Sequence, residues 1–404
     1  MTAVATDAPS RTGPRSAAVL ISAGDASGDI HAAALVRALR QHIPRASFFG
    51  LGGAEMEKEG VELIVHQREV AVAGLLEVAS GLPRILRAWR KLHRTVRERE
   101  PDLVILVDTP DFNLPLARRV RKHGVPILYF IGPQVWAWRQ GRVHKIARRV
   151  DRLAVIFPFE VDFYRPTGLC VEFVGHPLVE RMHEAMGRHD RASDRRSLGL
   201  DPDSPVVALL PGSRRNEIEN MLPLFLETAS VLHARDPRVA FVLPVAPTLP
   251  RDWLEAKVRA AGLPSLLRLE VVEGKTYETI CACDVALAMP GTVNLEVALL
   301  GRPQVAAVRL HPITYRIALR LVQLRWVTLP NLIAQAPVIP EFWQNDASAQ
   351  GLAEALRDLL AGPERDAQLA GAARVRELLG SGGAAERTAE IACEMIRGIA
   401  ARPR

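Results

Sequence analysis

Short, nearly continuous apolar runs alternate along this chain with longer stretches whose apolar residues recur every three or four positions. The runs Ala17–Ala23, Leu103–Val107, Ile127–Ile131, Val206–Leu210 and Val285–Met289 read as strands buried on both faces of a parallel sheet. Ser47–Gly53, Leu153–Phe157, Val171–Val174, Val239–Leu243, Leu267–Val272 and Gln304–Val308 extend the series. Helical spacing predicts helices over Ile30–His42, Leu82–Glu100, Leu114–Lys122 and Ile218–Ala234, then Gln350–Leu360, Pro363–Leu379 and a last one from Ala384. The alternation stops and restarts, so the expected fold is α/β with two Rossmann-like domains and a cleft between them. Charge, Asp and Pro accumulate over residues 187–204, which marks a linker. The expected division is a disordered tail 1–15, a first domain 16–186, the linker 187–204, a second domain 205–380 and a C-terminal helix 381–404. Asp201-Pro202-Asp203 precedes a strand, so it reads as a turn and not as a metal-binding DxD.

Composition narrows the function classes. Hydrophobic residues at 48% with 24% charged describe a soluble globular protein, and no apolar run approaches the ~18 residues of a membrane span. Four cysteines (Cys170, Cys281, Cys283, Cys393) form neither a CxxC pair nor a disulfide framework, as in a reducing compartment. The 52 Lys+Arg against 45 Asp+Glu leave a net charge of +7 and point to an anionic partner. That charge is scattered over many helices without a recognition motif, which argues against nucleic acid. In Leu82–Glu100, Ile85, Leu86, Trp89, Leu92 and Val96 share one face, and Arg84, Arg87, Arg90, Lys91, Arg94 and Arg97 surround it. After Gly74-Leu75-Leu76 this helix suits either a core-facing role with a solvated basic side, the preferred reading, or contact with an anionic bilayer.

The candidate chemistry sits in the turns that close the strands. Asp284–Gly301 combines a strand, the turn Pro290-Gly291-Thr292 and a helix capped by Asn294 or Thr292. Backbone donors and the positive helix end converge there as in a diphosphate site, and Glu296, one turn along, is placed for the vicinal hydroxyls of a ribose. The plainer alternative is one more strand-to-helix connection with Glu296 completing the cap. Pro211-Gly212-Ser213-Arg214 opens the next long helix and reads as a phosphate clamp, Ser213 and Arg214 adding side chains to backbone donors. Gly274-Lys275-Thr276-Tyr277-Glu278 is a plausible lid over a base, with Lys275 its cation. In the first half, Gly24–Asp29 brings Ser27 and Gly28 to a strand end, although Ser27 or Asp29 equally suits a helix cap. Asp108 and Asp111 follow the Leu103–Val107 strand; one is expected to act on a substrate hydroxyl and the other to cap the next helix. Trp136 and Trp138 follow a glycine turn, where packing competes with stacking on a sugar or lining a lipid entrance. The basic helix behind them (Arg142, Lys145, Arg148, Arg149) suits a phosphorylated acceptor or a solvated surface. Asn331, in the apolar segment Leu329–Ala334, requires a partner of its own.

Seven motifs in order carry a family resemblance: SAGDASGD (22–29), VDTPDFN (107–113), PQVWAWRQGRVHKI (133–146), FVGHPL (173–178), LLPGSRRNEI (209–218), PGTVNLEVALLG (290–301) and LPNLIA (329–334). Over roughly residues 17 to 380 the chain resembles the lipid-A-disaccharide synthases. The resemblance implies a GT-B glycosyltransferase, inverting, without metal or cofactor. It would transfer diacylglucosamine from UDP-2,3-diacylglucosamine to 2,3-diacylglucosamine 1-phosphate, giving the β-1,6 disaccharide and UDP. It also implies a cytoplasmic protein on the anionic surface of the inner membrane, and a homodimer as a possible partner state. Residue by residue it gives a catalytic role to Asp108, Asp111 and Asn331 and substrate contacts to Arg214, Thr292 and Glu296. Where the family commonly has Tyr-Arg-Met-x-Pro-Phe-Thr, this chain reads Val308-Arg309-Leu310-His311-Pro312-Ile313-Thr314. The rival readings are a GT-B UDP-sugar transferase with another glycolipid acceptor and a UDP-sugar 2-epimerase.

Overall fold

The computed structural model describes residues 16–70, 75–138, 140–310, 315–316 and 325–400. The expected tail 1–15, Gly74, residues 311–314 and 401–404, and the side chains of Leu75, Leu76 and Trp138 lie outside the described set. Two parallel sheets organise the rest. The first contains β1 (Ala18–Ala23), β2 (Ser47–Gly52), β3 (Glu62–His66), β4 (Leu103–Val107), β5 (Ile127–Phe130), β6 (Arg152–Val155) and β7 (Cys170–Phe173), in spatial order 3-2-1-4-5-6-7. The second contains β8 (Val206–Leu210), β9 (Ala240–Val245), β10 (Arg268–Glu273), β11 (Val285–Ala288), β12 (Gln304–Val308) and β13 (Glu341–Trp343), in order 10-9-8-11-12-13. Every described pairing is parallel, for example Ile21 beside Ile105 and Leu209 beside Leu287. Helices cover both faces, so every residue of β4, β8, β11 and β12 is buried, and the apolar runs are continuous because neither face meets water. This is the α/β architecture of two Rossmann-like domains expected from the alternation.

β3 and β13, at the sheet edges, escape the apolar-run reading. Their residues are mostly half-buried and include Glu62 and Glu341, as edge strands tolerate. The helix expected from Leu114 begins at Pro110 instead; proline is favoured in a first turn, where its missing N–H would have no helical partner anyway. In the Leu75–Arg99 helix the core-facing reading holds for the second half: Ala88, Leu92 and Val96 are buried, and Trp89 Nε1 donates to the Phe112 carbonyl at 3.1 Å. Arg84, Arg87, Arg90, Lys91, Arg94 and Arg97 are exposed, as is Leu82.

Two segments bind the domains to each other. The stretch 187–204, expected as a linker, contains a helix, Arg191–Ser197, folded onto the second domain. Arg195, 2% exposed, donates to the carbonyls of Ala282 and Ser204 at 3.0 Å each and pairs with Asp284 at 2.7 Å, so its buried charge is matched. The final helix, Ala384–Ala400, returns to the first domain and packs along Ala26–His42, with His42 to Glu386 at 2.6 Å and Arg152 to Glu394 at 2.7 Å. At the crossing, Arg387 Nε donates to the Val174 carbonyl at 2.7 Å.

Candidate active site

In a doubly wound sheet, the helices leaving two adjacent strands on opposite sides open a crevice at the strands' carboxyl ends. The strand order places that crevice between β1 and β4 in the first sheet and between β8 and β11 in the second. Most of the candidate residues fall at these two points.

At the first, Asp108 and Thr109 both take left-handed backbone conformations, with φ of 47° and 43°. Such a conformation costs roughly 1–3 kcal/mol per non-glycine residue and persists only where the surroundings over-determine it. Here they do. The Asp108 carbonyl accepts from Tyr129 Oη at 2.6 Å and from Asn113 Nδ2 at 2.8 Å, while its amide donates to Phe130 O at 3.1 Å. Asn113 is fully buried, and its amide also donates to the carbonyls of Ser22 and Val107 while Ser22 Oγ donates back to it at 2.7 Å. The Asp108 carboxyl is thereby fixed at the strand end, accepting from the Thr109 amide at 2.8 Å. Burial, and then the charge of Asp25, push it up to about 6. Neither aspartate caps the helix, contrary to expectation: Thr109 stands at the cap, and Asp111 lies exposed in the first turn. Asp25, not Ser27 or Asp29, caps the Ala26–His42 helix, accepting from Gly28 N at 2.7 Å. The Gly28 amide is therefore already committed, Ser27 is exposed, and buried Asp29 serves the amides of Gly53, Glu55 and Met56.

At the second point, Ser213, Arg214, Gly291, Thr292 and Glu296 line one cavity of about 420 Å³ together with Glu217, Pro244 and Thr276. Gly212 turns the chain with φ of +128°, and a Cβ there would lie 2.6 Å from Glu217 Cβ, so the turn accepts only glycine. The free backbone donors expected in these turns are partly spoken for. Glu217 Oε2 accepts from the amides of Ser213 and Arg214 at 2.9 and 3.1 Å, and Asn294 Oδ1 accepts from Gly291 N at 2.9 Å. Asn294 thus does the capping, and Glu296 takes no part in it. The Thr292 and Val293 amides make no hydrogen bond among the described residues and lie at the open mouth of the Thr292–Leu299 helix. The Arg214 side chain, 80% exposed, rests on Glu217 at 3.2 Å, and both residues line the cavity.

A chain of polar groups links the two points. Arg181, on the Pro177–Arg188 helix of the first domain, donates to Tyr277 Oη at 2.6 Å, and the Tyr277 hydroxyl donates to Glu296 Oε1 at 3.2 Å. Burial pushes the Glu296 carboxyl up, against the opposing pull of Arg181 and of the Tyr277 hydrogen bond. Burial and then Arg181 push the His31 imidazole down while Asp25 pulls it up, and Asp25 in turn raises Asp108. Asp108, Asp25, His31, Arg181 and Glu296 are therefore close enough to act on one another in series across the domain boundary. Beside His31, burial holds the His176 imidazole at about 3, neutral, with Nδ1 accepting from Leu178 N. Arg181, His31 and Tyr277 escaped the sequence reading; Tyr277 belonged to the segment singled out as a lid, and the other two lie in the second turns of the helices that begin within the motifs 22–29 and 173–178.

Three expected site residues are used elsewhere. Lys275 Nζ donates to the Ser197 carbonyl at 2.8 Å, a contact to the inter-domain helix, and Thr276 lines the cavity in its stead. Trp136 is 5% exposed, edge-on to Phe157 and Phe159, and its Nε1 donates to Glu160 Oε1 at 3.0 Å. No face of its indole is open to a sugar, and burial pushes its partner Glu160 up to about 8. Asn331 is 1% exposed; Nδ2 donates to Ile339 O and Glu341 Oε1, and Oδ1 accepts from Ile339 N at 2.7 Å. Its partners are thus found within its own neighbourhood, where it holds the Leu329–Ala334 helix to β13.

The family model described as lipid-A-disaccharide synthetase matches residues 19–393. A lipid-A-disaccharide synthase of Geobacter sulfurreducens is 44% identical over 379 residues, covering 94% of this chain and 97% of the relative. Among solved structures, a UDP-GlcNAc 2-epimerase of Neisseria meningitidis bound to UDP-GlcNAc superposes with a TM-score of 0.63 at 12% identity, covering 93% of this chain and all of the other. MurG of Acinetobacter baumannii does so with a TM-score of 0.57 at 14% identity, covering 94% and 100%. At those identities the likeness is one of fold, the GT-B arrangement of two Rossmann-like domains.

Proposed function

Because the chain belongs to the lipid-A-disaccharide synthase family, and is thus a glycosyltransferase of lipid A biosynthesis, we propose that its second-domain cavity holds the UDP of the donor sugar and that Asp108 activates the acceptor hydroxyl. The family match disfavours the 2-epimerase reading, which rested on shared architecture. The observation that carries the assignment is the convergence of Ser213, Arg214, Thr292 and Glu296 on a single cavity at two helix ends. The diphosphate would take the Thr292 and Val293 amides and the Arg214 guanidinium, while Glu217 yields the Ser213 and Arg214 amides. Glu296 would accept hydrogen bonds from the ribose hydroxyls.

The chemistry then follows from where charge develops. Asp108, raised to about 6, is ionised at neutral pH yet basic enough to take the proton of the acceptor's 6-hydroxyl. The oxygen attacks the anomeric carbon from the face opposite the nucleotide, the bond from that carbon to the diphosphate oxygen breaks, and UDP leaves with inversion. The departing charge falls on the donors at the helix end and on Arg214, which therefore act mainly in the transition state. Among the described residues no helix is long and apolar enough to cross a membrane, and the exposed arginines of the Leu75–Arg99 helix fit a peripheral stance on an anionic bilayer surface. The test is UDP release from UDP-2,3-diacylglucosamine with and without 2,3-diacylglucosamine 1-phosphate. Acceptor-dependent release is expected; release indifferent to the acceptor, or none, overturns the reading.

A further inference from the structure

A second, smaller cavity of about 130 Å³ opens beside the Asp108 loop, between the Pro110–Val120 helix and the Val143–Ala147 segment. Pro110, Asp111, Leu114 and Pro115 form one wall, and Arg142, Lys145, Ile146 and Arg149 the other. Three cations thus face a space too small for a nucleotide but sufficient for one tetrahedral anion. Arg142, Lys145 and Arg149 make no ion pair among the described residues, and Asp111, the one carboxylate in the lining, lies within 4 Å of none of them. Arg149 is fixed by a 3.0 Å bond from Nη1 to the Leu114 carbonyl, so its charge is held in place without being neutralised. Burial, and then Arg118, Arg142 and Arg148, all push the Arg149 guanidinium down, which describes mutually repelling cations brought together without a counter-charge. Unpaired cations around a small cavity offer charge-assisted hydrogen bonds to an anion of that size.

We propose that this cavity binds the phosphomonoester of the sugar acceptor through Arg142, Lys145 and Arg149, so that the first domain holds its substrate by the phosphate at one end of the ring and deprotonates the hydroxyl at the other. The assignment rests on the transferase reading above. It is favoured over an anionic lipid headgroup because the pocket's near wall is the first turn of the helix that follows Asp108: Asp111 lines the cavity three residues after the base. A phosphate anchored there is held on the same loop-to-helix turn that presents Asp108, and anchoring a non-reacting group is how an enzyme turns binding into orientation.

The test uses the full chain and compares 2,3-diacylglucosamine 1-phosphate with its dephosphorylated counterpart as acceptor. Wild-type protein should prefer the phosphorylated acceptor in kcat/KM by roughly ten- to a hundredfold, the range expected for charge-assisted hydrogen bonds. In the double variant Arg142→Gln/Lys145→Gln that preference should collapse to within about threefold through a rise in acceptor KM, with the donor KM unchanged. The charge-retaining exchange Arg142→Lys/Lys145→Arg should keep most of the preference, which separates loss of the anion site from loss of fold. In parallel, both proteins are sedimented with phosphatidylcholine vesicles containing phosphatidylglycerol. Retained vesicle binding with lost discrimination supports the acceptor site. Lost vesicle binding with retained discrimination assigns the cluster to headgroups and overturns the proposal, as does a double variant that discriminates like wild type. If wild-type protein releases no UDP with either acceptor, the transferase reading itself has failed, an outcome distinct from both.

Discussion

The two topological switch points of this molecule share one design and differ in every physical detail. At the β1/β4 point the backbone of Asp108 is held by a buried network in which Asn113 and Tyr129 donate to its carbonyl and Ser22 Oγ donates to Asn113, and two successive left-handed residues are kept strained. At the β8/β11 point the key cation is four-fifths exposed, and the Ser213, Arg214 and Gly291 amides are taken by the protein's own Glu217 and Asn294 while those of Thr292 and Val293 make no hydrogen bond among the described residues. The difference suits the two tasks proposed for these points. A general base works from a fixed position and a desolvated setting that raises its affinity for a proton. A diphosphate site must admit a large anion and let it go, which suits the exposed Arg214 and the unbonded Thr292 and Val293 amides.

The largest expected effect comes from breaking the rigid side. Asp108→Asn keeps the acceptor of the Thr109 bond but removes the base, so turnover should fall by about 10²- to 10⁴-fold with unchanged donor binding. The same variant should be more stable at alkaline pH. A carboxyl raised from 3.8 to about 6 by folding favours the folded state while protonated, below pH 4, and that contribution is lost as the pH rises through 6. Above that pH the wild-type fold carries a penalty of up to about 3 kcal/mol that the amide escapes. Thermal melts at pH 8 decide it; a variant with lower melting temperature and normal turnover would remove Asp108 as the base. In the wild type, kcat/KM for the acceptor should rise tenfold per pH unit below about 6 and level off above it, and a flat profile down to pH 5 contradicts the assignment.

Breaking the open side should cost somewhat less. Arg214→Ala removes a solvent-exposed cation proposed to meet the leaving diphosphate, with an expected loss of about 10²- to 10³-fold in kcat and no change in melting temperature, since Arg214 rests only on Glu217. Unchanged kcat with a raised donor KM would instead make Arg214 a ground-state contact.

The contrast also explains what the sequence made legible. Sheet strands buried on both faces announce themselves as apolar runs, so the two-domain α/β architecture could be read directly, and the residues lining the second-domain cavity lie in turns where glycine, proline and a helix start coincide. Edge strands β3 and β13 carry half-exposed charges and left no such mark. Partner choice was hidden as well. Trp136 looked like a ligand contact because its ring follows a glycine turn and Asn331 because its amide needed a partner, but the partners they find, Glu160 and Glu341, lie 24 and 10 residues away and become visible only after folding. The inter-domain helix looked like a linker because its charged residues are conspicuous; that Arg195 buries its charge against Asp284, 89 residues on, is tertiary information.

The smallest predicted effect concerns the residues that join the two points. Tyr277 receives a hydrogen bond from Arg181 and gives one to Glu296, so the phenol relays the first domain's position to the carboxylate assigned to the ribose. Tyr277→Phe keeps the ring that Arg181 covers at 5.7 Å and deletes the hydroxyl alone. A hydrogen bond to a charged group contributes about 1.5–3 kcal/mol net, so the donor KM should rise roughly ten- to a hundredfold while kcat with saturating donor stays within a factor of two. Because the Tyr277 bond helps hold the Glu296 proton off, its loss should also move the acidic limb of donor binding to higher pH, a shift that a purely structural defect would not produce. Titrating UDP binding by calorimetry between pH 5 and 8 reads that limb directly, and an unshifted limb would show that Glu296 is set by burial and Arg181 without the relay.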